Sequence, residues 1–225
     1  MDIRGNVDAF MIGDRPDARR TSFDYCFNYF QAYRDTNQIK KLAEDGMEVS
    51  CLQLGFYLAS WGMFRSGLLR TRSAKQFRPV VELVAETPKE FWDIDVHCYD
   101  DVACEQLVEK SREISHALSE PMENARYPTR TVATKVMLGV FGNVPAYDRY
   151  VRKGLSQQIG ASVFGVRSLK AISRFYQANA GDIDNCRPQT LDFGSGQVTS
   201  RLYTRAKLID MIFYVEGGAP RPAAA

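Results

Sequence analysis

Apolar residues recur at helical spacing along most of the chain. Ser22 or Asp24 can cap a helix in which Phe23, Phe27, Phe30 and Tyr33 fall three to four residues apart, and Gly46 is a natural stop. Residues 50 to 69 are apolar almost all round, which predicts a buried helix. A third helix is predicted over about 73 to 86 from Phe77, Val80, Val81 and Val84, ending before Pro88. FWDIDVHCYDD is loop or a short extended piece. CEQLVEKSREISHALSE then sets Leu107, Ile114 and Leu118 among charges and stops at Pro121. Val132, Val136 and Val140 form one stripe; Gly142, Asn143 and Pro145 force a turn, and Asp148 can start the next helix. Further helices are predicted at about 166 to 179 and 199 to 215, with DNCRPQTLDFGSGQV a turn-rich loop between them. Almost nothing alternates with period two, so the expected fold class is all-α. Residues 1 to 20 show no sustained period and are expected to be a flexible arm, and 219 to 225 a tail. A single helical domain is expected over 21 to 218, with 50 to 62 at its centre and 128 to 141 packed beside it.

Composition narrows the class. The chain of 225 residues is long enough to bury roughly 70% of its unfolded surface, and its 45% hydrophobic and 25% charged residues are ordinary for a globular protein. Lys and Arg total 29 against 27 Asp and Glu, a net charge of +2 that supplies no bulk attraction to nucleic acid. Basic residues do cluster locally, at Arg65, Arg70, Arg72, Lys75 and Arg78, and at Arg126, Arg130, Lys135, Arg149, Arg152 and Lys153; by themselves these are solvated faces. The 5 cysteines are odd in number with no C-x-x-C pair, and His97 beside Cys98 has only His116 as a histidine companion. Neither a disulfide framework, a metal nor another cofactor is therefore expected. MDIRGNVDAFMIGDRPDARR carries no apolar signal core, and no apolar run reaches the ~18 residues of a membrane span. The expected location is the cytoplasm, with no membrane partner. LDFGSGQ follows no strand, and the DID and YDD triplets read as turns and caps.

The chemistry concentrates in residues 131 to 155. An aspartate that opens a helix accepts backbone N–H bonds, which orient it and keep it ionised. Asp148 is thus a structural cap or a positioned anion.

The order TKVMLGVFG, NVPAYD, RYVRKGL resembles the helix-hairpin-helix DNA glycosylases, including endonuclease III and the 8-oxoguanine glycosylases, in which an apolar helix and a Pro-containing turn lead to the catalytic aspartate. LQLGFYLASWGM is similar to the early helix that walls the family's base pocket, with Trp61 near the pocket end. Within that superfamily the chain is most similar to the 8-oxoguanine-glycosylase-like (OGG-fold) proteins of bacterial antiphage and conflict systems. The resemblance implies a compact multi-helix fold with a divergent hairpin. It implies that Asp148 is catalytic, and that Lys135 is a nucleophile or a phosphate-binding cation. Arg130 stands at the family lysine's distance from the aspartate but cannot lose its proton to attack C1′. Trp61, Tyr147 and Tyr150 would stack on an extruded base, and Arg65, Arg130 and Arg149 would hold phosphate. The implied function is a DNA N-glycosylase acting on or binding a purine or modified base in DNA or a nucleotide. The alternative is a catalytically inactive nucleobase-binding, nucleotide-binding or protein-partner module of a defence system. ARYPTRTVATK departs from the family hairpin by lacking the two glycines that bring backbone close to a DNA phosphate.

Overall fold

The computed structural model describes residues 1–13, 15–65, 70–119 and 130–219. Among them it is helical apart from one two-stranded sheet. The segment expected to be a flexible arm instead opens with helix α1 (Ile3–Met11), capped by Asp2, whose carboxylate accepts from Gly5 N at 2.9 Å. Ile3, Val7 and Phe10 bury one face of it. These three apolar positions, in a nine-residue helix, are too few to stand out from the sequence, and only their docking against the last helix makes them core.

Helix α2 (Thr21–Asp35) buries Phe23, Phe27 and Phe30 as predicted, but neither Ser22 nor Asp24 caps it. Ser22 bonds the Arg19 carbonyl, and Asp24 accepts from Leu191 N at 2.9 Å and from the Tyr203 hydroxyl at 2.6 Å. A 3-10 turn (Ile39–Leu42) follows, so Gly46 precedes the next helix rather than ending α2. Helix α3 (Met47–Ser60) corrects the expectation of burial all round. Cys51, Leu54, Tyr57 and Leu58 face inward, while Val49, Leu52 and Phe56 are exposed.

A 3-10 turn (Ala74–Phe77) leads into α4 (Arg78–Ala85), and α5 (Lys89–Trp92) and a 3-10 turn (Val96–Cys98) occupy the FWDIDVHCYDD segment. Helix α6 (Asp101–Ala117) is capped by Asp100, which accepts from Ala103 N at 2.7 Å. Helix α7 (Arg130–Val140) is buried from Val132 to Val140 and packs against α2, α3 and α6. It passes α3 so closely that a Cβ at Gly139 would collide with the Tyr57 ring.

Helix α8 (Arg149–Ile159) ends at Gly160, in the left-handed conformation that glycine reaches without strain. Helices α9 (Val166–Ala178) and α10 (Ala180–Asn185) precede the sheet. Its strands β1 (Gln189–Leu191) and β2 (Val198–Leu202) are antiparallel, pairing Gln189 with Leu202 and Leu191 with Val198. The helix expected from 199 therefore starts later, as α11 (Arg205–Glu216). Thr204 caps it, and Asp95 accepts from the amides of Arg205 and Ala206 at 2.9 Å each. One hydrophobic cluster runs from Ile3 through Phe213. No helix among the described residues is long and apolar enough to cross a membrane.

Candidate functional site

The turn after α7 delivers Asp148. Gly142, at φ +70, lies where any side chain would press on the Phe27 ring and the Thr204 methyl, at 2.7 Å each, so glycine is required twice over. The turn is held on all sides. The Tyr99 hydroxyl donates to the Asn143 carbonyl at 2.5 Å, Ala146 N to Asp210 at 2.9 Å, and Tyr147 N to Thr134 at 3.0 Å. Asp148 then caps α8, its Oδ1 accepting from Tyr150 N at 3.0 Å and Val151 N at 3.1 Å. Its Oδ2 accepts from Lys135 Nζ at 3.1 Å.

Lys135 projects from the middle of α7 and is only 3% exposed, so it is no surface lysine. Its ammonium lies 4.9 Å from the centroid of the Trp61 ring. Trp61, at the end of α3, stacks on Phe10 of α1 and meets Tyr214 of α11 edge-on. Its indole nitrogen is buried and has no hydrogen-bond partner among the described residues. The structure thus brings Asp148, Lys135 and Trp61 together, from three separate helix ends and faces.

A second lysine, not singled out from the sequence, completes the group. Lys207 of α11 is buried, 3.2 Å from Asp210, and its ammonium approaches the rings of Phe23, Phe10 and Trp61 at 4.6, 4.8 and 5.5 Å. Burial pulls its pKa below the ordinary lysine value; Asp210 opposes that shift and the neighbouring Lys135 adds to it. Asp210 is in turn the acceptor for Ala146 N, so the two ion pairs are tied through the same turn. The available signal was a Lys and an Asp three residues apart inside the otherwise apolar AKLIDMIF, a pattern that also fits a partly exposed helix.

Beside Trp61 opens a cavity of about 330 Å³ between α1, the residues preceding α2 and the end of α11. Phe10, Trp61 and Tyr214 give it aromatic walls, and Arg19 and Arg20 line it. The exposed Arg19 guanidinium lies 5.1 Å from the Trp61 centroid. Burial pushes the Tyr214 phenol up, with Arg19 opposing and Asp148 adding to the shift. Neither Asp148 nor Lys135 belongs to the cavity wall; Trp61 is the element shared by the cavity and the ion pair.

The other predicted site residues lie elsewhere. Tyr147 is core, 1% exposed, with its hydroxyl 2.6 Å from Ser168 and its ring edge-on to Phe164; with Arg130 it borders a separate cavity of about 270 Å³ and not the one beside Trp61. Tyr150 meets Tyr214 edge-on at 5.3 Å and carries the exposed Arg149 over its ring at 4.6 Å, and neither lines the cavity beside Trp61. Arg130, a helical turn and more before Lys135 on another face of α7, donates to the Phe164 carbonyl at 3.2 Å. Arg65 is exposed and packs near Gly62. Residues 125–129 of the ARYPTRTVATK hairpin, including Arg126, lie outside the described residues, and 130–135 form the start of α7. Among the described residues no group of His, Cys, Asp and Glu is arranged to hold a metal ion. Comparison with protein-family models, with curated proteins and with solved structures returned no match.

Proposed function

We propose that the chain is a DNA N-glycosylase-like protein in which Lys135 and Asp148 act on a purine or modified base brought to the Trp61 cavity. The observation that carries this reading is the buried Lys135, held 3.1 Å from an aspartate whose other oxygen is fixed by two backbone amides. Cleavage of an N-glycosidic bond develops positive charge at C1′, and an anion fixed in place stabilises it without reorganising. The bonding pair leaves with the base. The Lys135 ammonium supplies the proton that the departing base needs, and the amine so formed adds to C1′. Burial and the Trp61 face exclude competing water.

One observation favours a second reading. Both oxygens of Asp148 are already engaged and the cavity wall contains neither member of the pair, so the pair also serves as a strut beneath a cavity that holds a base without cutting it. An antiphage role fits either reading and rests on the resemblance alone.

Oligonucleotides carrying 8-oxoguanine and other modified purines separate the two. The catalytic reading expects base release by the wild type, cut by a factor on the order of 10² or more in Asp148→Asn. Asn keeps the cap, a change worth under ~1 kcal/mol, but leaves Lys135 buried without its anion, which costs on the order of 3 kcal/mol. The double variant Asp148→Asn/Lys135→Met removes both charges and is expected to regain much of that stability while remaining inactive. Release that survives Asp148→Asn unchanged would eliminate the catalytic role; absence of release by wild type leaves the strut.

A further inference from the structure

We infer that the Trp61 cavity is a binding site for a free purine nucleoside monophosphate, with the ring against Trp61 and Tyr214 and the phosphate on Arg19. The inference rests on the reading above only in placing a base at this cavity, and not on any chemical role for Lys135 or Asp148. At about 330 Å³ the cavity lies at the small end of the usual range of roughly 300–1,000 Å³ for ligand sites. That volume suits one mononucleotide and not a stretch of polymer. Phe10, Trp61 and Tyr214, packed on one another, give the cavity an aromatic wall, which favours a flat ring.

Charge selects the rest. None of the described residues lining the cavity carries a carboxylate; Arg20 is buried and donates to the Met11 and Ile12 carbonyls, and the two buried lysines nearest Trp61 each have their own aspartate, so Arg19 is the exposed cation presented at the opening. Arg19, exposed to solvent beside the indole and sharing a hydrogen bond with the Tyr214 phenol, has lost little hydration and keeps the rest of its planar fork available to a phosphate. A ring entering the cavity also meets an indole whose electron-rich face is flanked by the Arg19, Lys135 and Lys207 cations at 5.1, 4.9 and 5.5 Å. With Lys135 and Lys207 neutralised by Asp148 and Asp210, the net positive charge beside the ring is that of Arg19, and its field favours a ligand with negative charge near the ring.

The test is titration of the full chain with guanosine monophosphate, guanosine and inorganic phosphate at low salt, followed by calorimetry and by Trp61 fluorescence in a Trp92→Phe background. The monophosphate is expected to quench Trp61 and to bind roughly tenfold or more tightly than the nucleoside, with no quenching by phosphate alone. Arg19→Gln, at an exposed position that leaves the fold intact, is expected to abolish that preference while nucleoside binding remains. Equal affinity for nucleoside and monophosphate, a preference that survives Arg19→Gln, or no binding at millimolar concentration overturns the inference. Base release from oligonucleotides without mononucleotide binding sinks this inference alone, whereas mononucleotide binding without base release supports it and sinks only the catalytic reading.

Discussion

Lys207 illustrates what a single residue does when its neighbours are chosen by the fold. The groups around it are Asp210 on its own helix, Lys135 from α7 and Asp24 from α2. Burial dominates, so the folded-state pKa lies below the unfolded value of about 10.5. The unfolded chain then binds that proton more tightly, and the contribution of Lys207 to stability rises with pH between the two values. Below both values its penalty is constant. Lys207→Met with Asp210→Asn removes the pair without orphaning a charge, and buried pairs replaced in this way are often neutral or up to ~4 kcal/mol stabilising. In urea titrations from about pH 7 to about pH 10, the stability difference between this variant and wild type is expected to shift in favour of wild type as the pH rises. Parallel pH profiles would show that Lys207 does not titrate abnormally. At this scale the sequence made Asp148 legible, because a cap follows a turn in predictable order. Lys207 was not legible, since nothing local says which face of α11 meets Phe10 and Phe23.

Two helices meet at backbone distance behind the cavity. A Cβ at Gly154 of α8 would run into the Phe213 carbonyl of α11, and one at Gly217 into the Tyr150 carbonyl. An alanine in place of a helical glycine ordinarily stabilises by up to about 1 kcal/mol. Here the sign reverses: Gly154→Ala is expected to cost ~1–3 kcal/mol through overpacking. Gly181→Ala in α10, where a Cβ meets nothing within 4 Å, is expected to be neutral or stabilising. Thermal melts of the two variants check this, and a Gly154→Ala protein as stable as Gly181→Ala would mean that α8 and α11 are not so closely packed. Element boundaries followed local signals where those were strong, as at Asp100 and Pro88. They failed at β1 and β2, whose three and five residues are too short to display alternation, and that pairing displaced the start of α11.

Across the whole molecule, the first helix completes the site formed by the last. Phe10 covers Lys207 and stacks on Trp61, so the N-terminal residues furnish one wall of the cavity rather than trailing from the core. Phe10→Ala is expected to cost ~3–5 kcal/mol and to shift Trp61 emission to the red as its stacked neighbour disappears. A loss below ~1 kcal/mol, with emission unchanged, would mean that α1 is dispensable.

The helical class, the stripes of α2, α4 and α7, and Asp148 at a helix start follow from sequence alone, because periodicity and capping act within a few residues of chain. Tertiary structure decided that α7 and not α3 is buried along its length, that α1 docks, and that Tyr147 is core while Trp61 is the ring shared by the cavity and Lys135. Those outcomes depend on which apolar faces find partners among segments up to about 200 residues apart, such as Phe10 and Tyr214. The same long-range packing strips water from Lys135 and Lys207, turning two ordinary helix lysines into buried cations that need Asp148 and Asp210.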